Sequence, residues 1–117
     1  KSHLDYPDVD TYIDSVIDYL ISAQVKDGFF AYGQANAASL AIAIRGLVSV
    51  GIDPRSEVFT FEDQDLIEAL LGYRLEFGFK YSPMDTSEEI DFATPQGFAG
   101  LVHYKIYRDI NKTHVWS

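Results

Sequence analysis

The sequence predicts an all-α fold in which pairs of helices recur along the chain. Three observations carry that expectation: apolar residues at helical spacing in four segments, an alternation of one-sided with almost wholly apolar helices, and a match of the chain to itself at an offset of 50 residues that grows to 54. Together they give two αα-hairpins, at about 8–51 and 63–109, within one domain.

The first helix, about residues 8–26, places Val9, Ile13, Val16, Ile17 and Leu20 at helical spacing and Asp10, Asp14 and Asp18 on other faces. It reads as an outer, half-wet helix. Pro7 is tolerated in a first turn, and Asp8 and Asp10 suit the positive end of the helix dipole. The second helix, about Ala35 to Val50, has only Asn36, Ser39, Arg45 and Ser49 as polar residues, so it should be covered on nearly all sides. Gly51 caps its end, and Asp53 and Pro54 turn the chain.

A third helix, about Asp63 to Leu75, shows one apolar stripe through Leu66, Ile67, Leu70 and Leu71 and reads as the second outer helix. The fourth starts at "ATPQ", where Thr94 can cap and Pro95 fills the first turn, and runs to about Asp109. A shift of 50 residues superposes "VIDYLISAQVKDGF" on "LIEALLGYRLEFGF", and a shift of 54 superposes "IRGLV" (Ile44 to Val48) on "FAGLV" (Phe98 to Val102). Each unit is then an outer helix, a Gly-aromatic turn and an inner helix. Small residues at Ala41, Ala43, Gly46, Gly97, Ala99 and Gly100 allow the inner helices to approach closely. A lone hairpin cannot bury an inner helix on both flanks, so the units must stack.

Composition narrows the function. The chain of 117 residues carries a formal charge of -9, which argues against nucleic acid or an anionic membrane surface as partner. No apolar run approaches the ~20 residues of a membrane span, and no signal peptide is recognised. Because the chain begins at Lys1 without Met, we expect it to be a segment of a longer protein. The absence of Cys excludes thiolate nucleophiles, cysteine-bound zinc and iron–sulfur clusters, and is compatible with the cytosol or a bacterial exterior.

The spacing of Leu20, Gln24, Gly28 and Phe30 resembles the QW motif of the prenyltransferase and squalene-cyclase repeat superfamily, with Phe in place of Trp. A second copy keeps Leu70 and Gly78 but has Arg74 and Lys80. "DPRSEVFT", "DLIEALLGYRLEFGFKY" and "ATPQGFAGLVHYKIYRD" further resemble the prenyltransferase-like repeat domain of Gram-positive surface proteins, whose organisation is similar to that of the vitamin carrier transcobalamin. In that pattern Ala93, Thr94 and Gln96 match, while Pro95 stands where Glu is usual. The resemblance implies an α/α toroid, or part of one, from an extracellular or cell-surface bacterial protein. It also implies that Phe29, Phe30 and Tyr32 plug the turn, with Gln24 satisfying backbone groups at the next helix's start.

Chemistry is sparse. Prenyltransferases of this superfamily bind zinc through Asp, Cys and His, but Cys is absent and His3, His103 and His114 are far apart, so neither metal nor cofactor is expected. "DVDT" at Asp8 is a superficial match to a cyclase acid motif and reads better as a helix start. Asp85, Glu88, Glu89 and Asp91 could hold Ca²⁺, but a solvated acidic loop is the preferred reading because the spacing of a calcium loop is missing. The sequon-like "NKT" at Asn111 carries no weight in most bacteria, and Ser39 has no nucleophile partners.

What remains is a polar rim on the inner-helix starts and turns: Tyr32, Asn36, Ser39, Tyr73, Tyr81, Thr94 and Gln96. It suits ligand binding or, as we prefer, helix capping. The expected function is a noncatalytic binding or structural module. Its partners would be neighbouring repeats or domains, a second copy of itself, or a small apolar ligand. The alternatives are a small-molecule carrier, for cobalamin-like or isoprenoid ligands, and an isoprenoid cyclase or lyase, for which Asp91 is the one candidate acid. The whole reading needs the segments around Ile42 and Phe98 to be walled in.

Overall fold

A computed structural model describes residues 7–31 and 34–116. The expected all-α fold, and with it the α/α toroid implied by the resemblance, is overturned. The chain is mixed, with helices α1 (Pro7–Ala23), α2 (Ala37–Ser49), α3 (Leu66–Leu71) and α4 (Ala93–Trp116) and an antiparallel sheet of β1 (Gln24–Val25), β2 (Gly28–Ala31) and β3 (Gln34–Ala35).

The sheet arises in the Gly-aromatic stretch itself. Asp27 takes φ 68 and Gly28 φ 119, so the chain reverses at Lys26–Asp27 and pairs Gln24 with Phe29 and Val25 with Gly28. Gly28 has a second reason to be glycine: a Cβ there would lie 3.1 Å from the Leu40 side chain. Aromatic residues favour extended backbone. β2 continues into a second pairing, Phe30 with Ala35 and Ala31 with Gln34.

α2 is delimited at both ends by its sequence. The Asn36 carboxamide oxygen accepts from the Ser39 N–H at 2.8 Å, an N-cap. At the other end Gly51, at φ 83, donates to Val48 O while Ile52 donates to Leu47 O, the paired bonds of a Schellman cap. α2 contributes Leu40, Ala41, Ile44 and Leu47 to the core, the larger of them worth about 1.5–3 kcal/mol each by burial.

The third helix is much shorter than the 63–75 expected. Glu62 and Asp63 both adopt left-handed φ and form a two-residue hairpin turn in which Phe61 and Gln64 exchange backbone hydrogen bonds. α3 therefore starts only after Asp65, which closes a capping box with Glu68 and also accepts from Arg55 Nε at 3.0 Å. After α3, Arg74 pairs with Phe79 as Gln24 pairs with Phe29. α4 starts at Ala93, where the Glu89 carboxylate accepts from the Phe92 and Ala93 N–H groups. Thr94, expected as the cap, lies inside the first turn.

α2 and α4 are the central pair. The N–H of Ala37, at the start of α2, donates to Tyr81 O, close to where Thr94 of α4 bonds Phe79, and the far end of α2 meets α4 where Tyr107 donates to Gly51 O. The two helices run parallel. A Cβ on Gly100 would sit 3.2 Å from Ala41 Cβ and 3.4 Å from Leu70, which shows how tightly α2 lies on α3 and α4.

The expectation that both inner helices are walled in is also corrected. Each buries one flank only: Ile42 is 55% exposed and Phe98 67% exposed. α1, the outer helix of the first unit, stands off from α2 with Val9, Tyr12, Val16 and Tyr19 in water.

Gly46 and Gly100 match under the 54-residue shift but differ in surroundings, since a Cβ on Gly46 would meet nothing within 4 Å. In dilute solution Gly46→Ala should raise unfolding stability by about 0.5–1 kcal/mol through helix propensity. Gly100→Ala should lower it by about 1–3 kcal/mol through overpacking, both read as shifts in the urea midpoint.

Candidate functional site

A trough of about 520 Å³ lies between α1 and α2. α1 supplies Tyr12, Ile13, Val16, Ile17 and Leu20, and α2 supplies Ser39, Ile42, Ala43, Gly46, Leu47 and Val50. The α2 wall follows from Ile42, Gly46 and Val50 at i, i+4 and i+8, one face of a helix. The α1 wall is the stripe that made α1 amphipathic. Among the described residues only the Tyr12 and Ser39 side chains bring polar atoms to it, which suits the trough to apolar shape.

The sequence-predicted rim does not converge on this trough. Ser39 lines it. Asn36 is fully buried as the α2 cap. Thr94 serves the second turn, where its hydroxyl accepts from Phe79 N–H at 2.9 Å and lies 3.2 Å from Phe79 O. A Cβ on Gly78 would come within contact distance of that hydroxyl, and one on Gly97 would strike the Phe79 ring, so both glycines are required by close approach. Gln96 accepts from Arg45 at 3.0 Å across the α2–α4 joint. Tyr81 packs on the core and gives its carbonyl to the start of α2. Tyr32 lies outside the described residues.

Tyr73 is buried and its hydroxyl donates to Asp27 O at 2.9 Å, tying the first turn to the second unit. Burial pushes its ionisation far above the ordinary phenol range, and the nearby Asp27 carboxylate pushes the same way. Gln24 acts alongside, its Nε2 donating to Phe59 O at 2.8 Å. The expected partner was the start of the next helix; the observed one is the end of a 3-10 turn at Glu57–Phe59. Gln64 accepts from the Asp27 N–H at 3.2 Å and completes the clamp.

Asp91 is exposed in the turn before α4. Of its acidic neighbours, Glu89 caps α4, Glu88 accepts from Phe77 N–H and Asp85 accepts from Ser82 N–H. Among the described residues no group of three or more His, Cys, Asp or Glu is placed to hold a metal ion, and no helix is long and apolar enough to cross a membrane.

Sequence reasoning missed the trough because it placed the binding surface at the inner-helix starts. The signal was present in Gly46, a glycine in mid-helix on an otherwise apolar face. Comparison with protein-family models, curated proteins and solved structures gives no match to this chain.

Two outcomes follow for the clamp. Gln24→Leu leaves Phe59 O without its buried donor and should cost about 1–3 kcal/mol in urea unfolding. Tyr73→Phe should cost about 1 kcal/mol at neutral pH. Because the Tyr73 ionisation is raised in the folded state, the unfolded chain loses that proton first as pH rises, so wild-type stability falls above about pH 10. The gap between wild type and Tyr73→Phe should narrow in that range.

Proposed function

We propose that the chain is a noncatalytic binding or structural module of an extracellular bacterial protein, built from prenyltransferase-like repeats. The observation that carries this reading is the division between polar and apolar surfaces. Asn36, Tyr73, Thr94 and Gln96, the polar residues a ligand site would use, hydrogen-bond within the fold. What is left open is apolar: the α1–α2 trough and, on α4, Phe98 and Val102. Exposed apolar surface on that scale marks an interaction site. The resemblance of the Gly-aromatic turns and of Ala93, Thr94 and Gln96 to bacterial surface repeats supports the setting, and in that setting a repeat, either a neighbouring one or that of a second copy, covers the open flanks.

The trough volume favours one second reading, a carrier for a small apolar ligand, since 520 Å³ falls within the range of small-molecule sites, about 300–1,000 Å³. A trough between two helices suits an elongated isoprenoid better than a broad ring such as cobalamin. An isoprenoid lyase has the least support, because an acid catalyst needs a shielded setting and Asp91 is exposed.

Native mass spectrometry of the purified chain separates these readings. The module reading expects 13.2 kDa or whole multiples of it. A stoichiometric apolar adduct, lost when Ile42 is changed to Asp, would establish the carrier instead.

A further inference from the structure

The two repeats do not have the same neighbours, and the difference identifies a partner. In the second unit the groove between α3 and α4 is filled: Ala41 of α2 sits against Gly100 and Leu70, and Ile44, on the same face of α2, is fully buried. The 50-residue shift carries Leu70 back to Leu20 and the 54-residue shift carries Gly100 back to Gly46. Leu20 and Gly46 line the α1–α2 trough, where nothing approaches Gly46 within 4 Å. The trough is therefore the α3–α4 groove one unit earlier, without its helix.

The opposite end of the chain has the complementary feature. The same shift carries Ala41 and Ile44 forward to Pro95 and Phe98. Ile44 is 0% exposed, whereas Phe98 is 67% exposed, with Val102 one turn further along α4 also open. The chain thus contains one completed joint, α2 on α3–α4, and the two unmatched halves of another.

We propose that the trough is a docking site for α4 of a second copy of this chain, with Pro95 of the incoming copy set against Gly46 as Ala41 is set against Gly100, and Phe98 taking the buried place that Ile44 has in the internal joint. This deepens the module reading above and rests on it. A second copy is the partner that brings the matching half, because the trough and the open face at Phe98 are related by the same repeat that built the internal joint. The contact is heterologous, so copies add head to tail. With a charge of -9 on each copy, association should strengthen as salt screens the repulsion.

The test uses one variant for each half. Phe98→Asp removes the knob and keeps the trough, while Gly46→Glu blocks the trough and keeps the knob; both positions are exposed, and circular dichroism with urea unfolding checks that each variant folds. In analytical ultracentrifugation the wild type should grow beyond a dimer as concentration rises, and each variant alone should stay at 13.2 kDa. An equimolar mixture should give a species of twice that mass and nothing larger, because only one productive joint is left. A wild type that stays monomeric, a variant that still self-associates, or a mixture that does not pair would overturn the proposal. Fluorescence of anilinonaphthalene sulfonate separates this failure from that of the module reading. If the wild type is monomeric and the dye binds Phe98→Asp but not Gly46→Glu, self-pairing is wrong and the apolar site stands. If the dye binds neither, both are wrong.

Discussion

The approach of α2 to α4 at Ala41 and Gly100 is the constraint on which the rest of the structure depends. With 3.2 Å from Ala41 Cβ to the place a Gly100 Cβ would occupy, a side chain there would press directly on α2. That closeness lets Leu40, Ala41 and Ile44 reach full burial against α3 and α4. It also fixes the parallel course of the two helices, since their starts are held to neighbouring residues of the second turn, Tyr81 and Phe79. A chain of this size has few buried contacts to distribute, so one well-packed joint outweighs many looser ones.

The polar residues of the turns make sense against that joint. Gln24, Asp27, Gln64 and Tyr73 are far apart in sequence, yet hydrogen bonds join the first turn to the second unit at Gln64 and Tyr73 and to the 3-10 turn before it at Phe59. Each bond adds only about 0.5–1.5 kcal/mol, but leaving a buried partner unmade costs more, so the set acts as a register pin. The first unit is held at its turn by the second, whereas α1 is held chiefly by its connection to β1 and its contact with β2. Hence the turn is ordered by polar contacts and the trough beside α1 stays open.

Helical content was legible in the sequence because four apolar patterns with a 3.6-residue period need no tertiary context. Cap residues were legible in part. Asn36 and Gly51 delimit α2 as their chemistry dictates, whereas Thr94 lost its expected role to Glu89, a residue five positions earlier whose carboxylate reaches the open N–H groups. The sheet was not legible: strands of two to four residues are too short for a two-residue alternation to register, and their pairing depends on Asp27 taking a left-handed conformation. Nor could α3 be bounded, because a turn with Glu62 and Asp63 at positive φ uses residues without the Asn-Gly signature of such turns. For the site, the sequence pointed to the right helix, α2, and to the wrong end of it.

The same limit explains the rim of polar candidates. Polar residues at helix starts have two uses that composition cannot separate, and burial decides between them. Asn36 at 0% exposure cannot serve a ligand and the backbone at once, because its side-chain oxygen already accepts from Ser39 N–H. Apolar residues carry the reverse ambiguity: Ile42 and Ile44 are indistinguishable in a hydropathy pattern, yet one is 55% exposed and the other 0%. The joint on α3 and α4 separates them, because Ile44 lies on the flank that the joint buries and Ile42 on the wall of the open trough. An exposed apolar residue on a repeat is thus informative in proportion to how well its counterpart is buried, and by that measure Phe98 and Gly46 stand out on this surface.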